Sequence, residues 1–245
     1  MVDSIGFGGG VSARVWVWVA VLAGAGFAVI PFDGVLSEAA GAFRQEVLGG
    51  DLRRELEALQ QYGQGAITLL VAWAIWLLDR SRRRRLLDWA AGALVAAAVA
   101  YPAKMLVGRP RPKFGDPGVF LGPFGAYPID AEVGVRHAWE VWAGISSDLW
   151  SMPSTHTVFA VVMSVALASL YPALRPLAVV MAGLVGLSRV IFGAHYPSDV
   201  LMGAAIGLGA AAPAMALRWG SGPKRGAERP GALELGSPAG GGGRR

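Results

Sequence analysis

Residues 174–217 read LRPLAVVMAGLVGLSRVIFGAHYPSDVLMGAAIGLGAAAPAMAL, two apolar runs, Leu174–Phe192 and Val200–Leu217, joined by the short polar turn 193–199. Each run has the length and uniform apolar character of a membrane-crossing helix. A backbone inside hydrocarbon must satisfy its own hydrogen bonds, so such runs fold as helices. The end of the first run and the turn carry Arg189, His195 and Asp199. Charge at the edge of a bilayer is costly and tends to mark function. Arg189 offers a planar fork of donors for an oxyanion. His195 titrates near neutrality and can serve as base or nucleophile. Asp199 follows it by four residues, on the same face of a helix that begins there.

The rest of the chain has the same character. It has 245 residues, 54% of them hydrophobic and only 16% charged, against about a quarter charged in soluble proteins. The mean hydropathy is +0.46. There is no cysteine, which excludes disulfides, thiolate chemistry and Cys-ligated metals. The formal charge of +5 sits largely in one arginine run and the C-terminal tail. That distribution suits anionic lipid headgroups, not nucleic acid.

The fold expected is all-α: a polytopic membrane protein, a six-transmembrane-helix bundle with short amphipathic helices in the first outer loop. The spans are about Val15–Ile30, Ala66–Leu78, Leu86–Val107, Pro153–Leu170, Leu174–Phe192 and Val200–Leu217. Span one is read as retained, since its apolar run continues past the small-residue stretch Ala23–Gly26; a cleaved signal peptide is the alternative. Arg80, Arg82 to Arg85, Arg175 and the basic tail fall on one side, which the positive-inside rule makes the cytoplasm. Both termini are then cytoplasmic, and loops 31–65, 108–152 and 193–199 face outward. Residues 1–219 form the membrane domain, and 220–245, rich in Gly, Pro and charge, are expected to be a disordered basic tail.

Loop 31–65 has apolar residues at helical spacing, broken at Gly49-Gly50, which predicts two short helices on the membrane surface. A soluble helical hairpin packed on the outer face is the alternative. Loop 108–152, with Phe114, Phe120, Phe124, Tyr127, Trp139, Trp142 and Trp150, reads either as a lid that selects the headgroup or as an interfacial aromatic belt. Gly203 and Gly207 have small-xxx-small spacing, for close helix packing or for a dimer.

Three polar clusters fall on the outward side. Lys104, Arg109, Arg111 and Lys113 end span three, on the face where few cations are expected, which points to an anionic ligand. Pro153-Ser154-Thr155-His156 begins span four, where free N–H groups of a first helical turn favour anions. The third cluster is Arg189, His195 and Asp199. His137 stands alone in the outer loop and is read as structural.

At these spacings the chain resembles the type-2 phosphatidic acid phosphatase (PAP2) family, which shares its catalytic core with vanadium haloperoxidases. The family pattern is Lys, six residues, Arg-Pro (Lys104 to Arg111-Pro112); Pro-Ser-Gly-His (Pro153-Ser154-Thr155-His156, with Thr155 in place of glycine); and Ser-Arg, five residues, His, three residues, Asp (Ser188-Arg189, His195, Asp199). All three occur in order over about 104–199.

The resemblance implies a membrane lipid phosphatase. His195 would attack phosphorus and form a phosphohistidine. Asp199 would hold its ring, and His156 would protonate the leaving oxygen and then activate water. Lys104, Arg111, Ser154, Thr155 and Arg189 would bind the phosphoryl oxygens. No metal and no cofactor is implied. Expected partners are a lipid phosphate in the bilayer and anionic lipids. Expected substrates are undecaprenyl pyrophosphate, phosphatidylglycerol phosphate, phosphatidic acid or a lipid A phosphate. A bacterial inner membrane is favoured, with the site facing outward. The alternatives are a lipid phosphotransferase on the same scaffold and an anion-binding transporter.

Overall fold

The computed structural model describes residues 11–142 and 146–219; the tail expected at 220–245 lies outside the described residues. Helix α1 (Ala13–Val29) starts where the Ser12 hydroxyl accepts the Arg14 N–H. It continues through a 3-10 turn, Ile30–Phe32, into α2 (Asp33–Glu46). Pro31 opens that turn, where its missing N–H is tolerated. The run 13–46 is therefore a single 34-residue helical stretch, and the expected loop 31–65 begins as helix. Next comes α3 (Gly50–Leu59), then a second 3-10 turn, Gln60–Gly63, and a 67° bend into α4 (Gly65–Leu78). At the bend a Cβ on Gly63 would lie 2.3 Å from the carbonyl oxygen of His156, so only glycine fits there.

Four helices follow that meet in the core: α5 (Arg85–Val107), α6 (Thr155–Leu170), α7 (Arg175–Ile191) and α8 (Pro197–Leu217). Four helical stretches among the described residues are long and apolar enough to cross a membrane, and a fifth if the bent α3–α4 pair is one span. Helix α6, at 16 residues, reaches only about 24 Å, short of the roughly 30 Å of hydrocarbon. The count of six spans is thus not reached by length alone. Helix α6 packs against α5, α7 and α8, and ten of its residues are buried.

Small residues let these helices approach closely around a core that also holds Trp89, Met163, Leu170 and Met215. Gly92 of α5 sits against the backbone of Ala211, and Gly203 and Gly207 of α8 sit against the carbonyls of Ser154 and Val158. The pair Gly203/Gly207 therefore serves packing within this chain. A Cβ on Gly207 would lie 2.6 Å from the Val158 oxygen and 2.9 Å from the Val161 Cβ. Gly207→Ala is expected to cost about 1–3 kcal/mol of stability through overpacking, read as a lowered thermal midpoint in detergent. Large apolar side chains such as Trp16, Leu69, Trp73, Leu94, Leu177 and Leu187 point outward, as a lipid-facing surface requires.

The basic end is tied together by Arg85, which pairs with Asp88 at 2.5 Å and donates to the Met215 carbonyl at the end of α8. Arg82 pairs with Asp79 and lies over the Tyr171 ring.

The chain is not purely helical. Residues 126–137 form an antiparallel hairpin, β1 (Ala126–Asp130) and β2 (Gly134–His137). Asp130 accepts the N–H groups of Glu132 and Val133, and Gly134 takes φ +70°, which closes the turn. Tyr127, Ala138 and Leu149 form a small core beneath it with Phe114 and Trp150, while Phe124 and Trp142 stay exposed. His137 Nδ1 lies 3.0 Å from the Phe124 carbonyl, consistent with a structural histidine.

Candidate active site

Every sequence-predicted site residue lies at one end of the bundle, opposite the Arg85–Met215 tie. Lys104 is in the last turn of α5, His156 in the first turn of α6, Arg189 in the last turn of α7, and Asp199 in the first turn of α8. Two backbone bonds stitch the segments together. The Ser154 N–H donates to the Asp199 carbonyl at 3.0 Å, and the Ser151 N–H donates to the Arg109 carbonyl at 3.0 Å.

The turn holding His195 is built on Arg189, whose carbonyl accepts the N–H groups of Ala194 and His195 at 3.0 and 3.2 Å. Gly193 takes φ +64° there, a conformation that a side chain would strain. Asp199 caps α8 by accepting the Tyr196 N–H at 2.9 Å on Oδ2. The same oxygen accepts the Ser151 hydroxyl at 2.5 Å and lies 3.6 Å from His195 Nδ1. That gap exceeds a hydrogen bond, so His195 Nδ1 is buried without a hydrogen-bond partner. His195 is 1% exposed. Burial pushes its pKa from the usual 6.5 down to about 3, with Asp199 pulling the other way. The imidazole is therefore uncharged near neutral pH.

Three cations face this turn. Lys104 is buried and donates to the Trp150 carbonyl at 2.6 Å. Arg111 donates through Nε to the Ser147 carbonyl at 2.6 Å, leaving the rest of its fork free of protein hydrogen bonds among the described residues. Arg189 donates from Nη1 to Gln60 Oε1 at 2.5 Å. The charges of all three bear on His156, and those of Lys104 and Arg111 also bear on His195. These groups therefore lie within electrostatic reach of the two histidines at this end of the bundle. Ser154 is fully buried and its hydroxyl accepts from Thr157 at 3.1 Å, which leaves its own proton available. Thr155 opens α6 with ordinary helical geometry; among the described residues only Arg218 combines a side chain with a positive φ. A β-branched residue is thus accommodated where the family pattern has glycine.

Arg109 does not join the anion-facing set. It is fully buried and both its terminal nitrogens are taken up by Asp199, Asp33, Ser198 and the Pro117 carbonyl. Lys113 is likewise drawn off by Asp148 at 2.8 Å. Sequence reasoning also missed three residues that touch the site. Gln60 holds Arg189. Gln64 lies 3.1 Å from His156 Nε2. Asp33 accepts the Ser198 N–H at 3.0 Å. Asp33 alone had a sequence signal, as a lone carboxylate directly after an apolar span. Asp199 is consequently not the sole carboxylate at this end. Among the described residues no three His, Asp or Glu converge as a metal site.

This arrangement can hold a tetrahedral anion against two imidazoles, one of them backed by a carboxylate. Known proteins with similar sequences and folds are phosphatases or their structural neighbours. The chain is 33% identical over 156 residues to the decaprenylphosphoryl-5-phosphoribose phosphatase of Mycobacterium tuberculosis, covering 61% of this chain and 71% of that one. It is 30% identical to the Mycolicibacterium smegmatis protein of the same name, over 69% of this chain and 78% of that one. A lipid A 1-phosphatase of Rhizobium johnstonii is 34% identical, over 42% of this chain and 36% of its own length. Among solved structures, the PAP2-type phosphatidylglycerolphosphate phosphatase of Bacillus subtilis superposes with a TM-score of 0.51 at 24% identity, covering 80% of this chain and 89% of that one. Aquifex aeolicus LpxE superposes with a TM-score of 0.50 at 17% identity, over 73% and 92%. Residues 85–223, more than half of the chain, match the PAP2 superfamily, and with the site at this end of the bundle the chain belongs to that family of membrane phosphatases.

Proposed function

We propose that this protein removes a phosphate from a membrane lipid through a phosphohistidine intermediate. The observation that carries the reading is the neutral, buried His195 beside Asp199, facing the three cations and His156. His195 Nε2 attacks phosphorus as the bond to the leaving oxygen breaks, and His156 gives that oxygen its proton. Water then attacks the phosphohistidine, His156 takes a proton from it, the N–P bond breaks, and inorganic phosphate leaves. Lys104, Arg111 and Arg189, with the Ser154 hydroxyl and the free N–H groups of the first turn of α6, including that of Thr155, neutralise the phosphoryl oxygens as charge shifts.

The site sits at the ends of apolar helices, where a lipid keeps its chain in the bilayer while its phosphate enters. The relatives favour a polyprenyl-linked phosphosugar such as decaprenylphosphoryl-5-phosphoribose as the first substrate to test. Phosphatidylglycerol phosphate, lipid A, phosphatidic acid and undecaprenyl pyrophosphate follow. The arginine-rich segment 80–85 supports a cytoplasmic basic end bound to anionic lipid and an outward-facing site, in a bacterial inner membrane.

The test is release of inorganic phosphate by the purified protein from a panel of these lipids, with specificity constants compared. Activity is expected to persist in excess EDTA. Loss restored by a divalent ion counts against fixed cations as the charge-neutralising groups. Transfer of phosphate to a lipid or sugar hydroxyl in place of its release identifies a phosphotransferase.

The pH profile is a second check. His195 must be neutral to attack, and its pKa is depressed, so the acid limb of kcat/KM is expected well below pH 6.5. The sign for stability is opposite to that of a salt-bridged histidine. Below pH 6.5 the unfolded chain binds a proton that folded His195 refuses down to about pH 3, so stability falls as pH drops through that window.

A further inference from the structure

Arg109, Asp33, Ser198, Ser151 and Asp199 form a fully buried network directly behind His195. Arg109 Nη1 donates to Asp199 Oδ1 and to the Ser198 hydroxyl, each at 2.7 Å. Its Nη2 donates to Asp33 Oδ2 at 2.7 Å and to the Pro117 carbonyl at 2.5 Å. The guanidinium lies between two rings, 4.2 Å from the Tyr196 centroid and 4.8 Å from that of Phe120. Asp33 accepts the Ser198 N–H at 3.0 Å and also its hydroxyl. A carboxylate from the α1–α2 junction thus caps the first turn of α8, the turn that carries Asp199.

We propose that Asp33 and Arg109 are positioning residues for the nucleophile: the bridge Asp33–Arg109–Asp199 fixes the rotation of the Asp199 carboxylate and keeps a net negative charge behind His195. This rests on the reading of His195 as nucleophile. Oδ1 of Asp199 is claimed by Arg109, which turns Oδ2 to the imidazole. A guanidinium paired with Asp199 alone would neutralise it. Asp33 supplies the second carboxylate, so the three groups sum to one negative charge. That charge stabilises the imidazolium character that His195 gains as it bonds to phosphorus. The other charged or titratable groups facing this turn are Lys104 and Arg111 from the end of α5 and the segment after it, His156 from α6, Arg189 from α7, Arg44 from α2 (on the Phe192 carbonyl) and Tyr196 itself. Among the described carboxylates, Asp199 and Asp33 lie in the network itself, while Asp148 faces Arg111 and Asp116 faces Tyr196. Asp33 and the terminal nitrogens of Arg109 are occupied by one another and by Asp199, Ser198 and Pro117, so neither is placed as a phosphate ligand.

The test is Asp33→Asn in the full chain, purified in detergent and assayed by phosphate release across pH. Asparagine keeps an acceptor for the Ser198 N–H and removes the charge. The expected result is a kcat about 10- to 100-fold lower, as for other residues that orient a reacting side chain, with KM within about threefold. Removing a negative charge makes His195 harder to protonate, so the acid limb moves to lower pH. A merely structural role would lower the melting temperature and leave the kcat of the folded fraction and its pH limb in place, and that result overturns the proposal. If Asp33→Asn does not fold, Arg109→Lys serves. It keeps the charge and removes the fork that donates to both Asp33 and Asp199. A several-fold fall in kcat supports the bridge, and wild-type kcat overturns it. His195→Ala in the same assay separates the two readings. If it is active, the nucleophile assignment fails. If it is inactive while Asp33→Asn is unaffected, only the bridge fails.

Discussion

Replacing His195 with alanine is expected to lower kcat by at least about 10⁴-fold, the scale at which removing a nucleophile leaves only the residual effect of binding and charge stabilisation. The protein should still fold and insert. Asp199 keeps three donors without the imidazole, from Arg109, Ser151 and Tyr196, so no buried carboxylate is orphaned. The α7–α8 turn is held by its backbone and by Gly193, not by the imidazole. Lys104, Arg111 and Arg189 remain, so the variant should still bind vanadate or phosphate. The wild-type protein, mixed with radiolabelled substrate and quenched within one turnover, should carry an acid-labile label that the variant lacks. Deleting a histidine buried neutral also removes a source of acid sensitivity, so the stability of the variant should fall less steeply below pH 6.5. Undiminished turnover of every lipid phosphate tested would refute the assignment.

The helix positions were legible because strong local signals bound them. The expected Ala66–Leu78 and Leu86–Val107 lie within a residue of α4 and α5. Gly65 opens one, and Gly108 closes the other in the left-handed conformation that glycine adopts freely. Pro102 and Pro213 did not end their helices. Inside apolar surroundings no water competes for the carbonyl that proline frees, so helix remains the best solution. What local signals could not convey was continuity and bending. Pro31 suggests a break, yet it opens a 3-10 turn between two helices. The α3–α4 bend is set by the approach of Gly63 to the His156 carbonyl, a contact made across 93 positions of sequence. The 126–137 hairpin was missed because its strands are four and five residues long and too short for a periodic signal.

The site divides in the same way. Lys104, Arg111, Ser154, Thr155, His156, Arg189, His195 and Asp199 could be singled out because their spacing is a pattern in the chain itself. Arg109 and Arg111 show the limit. They are the same residue two positions apart, both flanked by proline. One is sealed between two carboxylates, and the other keeps most of its fork free. The deciding partner, Asp33, is 76 positions away and enters only because the α1–α2 junction packs on the start of α8. Gln60 and Gln64 reach Arg189 and His156 through the bend that local sequence did not disclose.

Asp199→Asn is expected to lower kcat by about 10³- to 10⁴-fold, as an amide does in place of the carboxylate that orients a catalytic histidine. The reason lies in its contacts. Oδ1 faces the Arg109 guanidinium, and Oδ2 faces the Ser151 hydroxyl, the Tyr196 N–H and His195 Nδ1. Every neighbour on both sides is able to donate, so the NH₂ group of asparagine must meet a donor whichever way it turns. Turned to Arg109, it sets two donors against each other inside the bundle. Turned to Oδ2's place, it loses the Tyr196 cap and presents a hydrogen to Nδ1, which favours the tautomer with its proton on the attacking nitrogen. Stability should fall as well, by about 3–5 kcal/mol, since Arg109 is left with Asp33 as its one charged partner in a dry site. The two effects separate by measurement. Kinetics on the folded fraction isolate the catalytic loss, and thermal unfolding in detergent gives the packing loss. KM should change little, because Lys104, Arg111 and Arg189 are untouched. A folded Asp199→Asn protein with wild-type kcat would show that His195 needs no carboxylate behind it, and the phosphohistidine route would lose its second member.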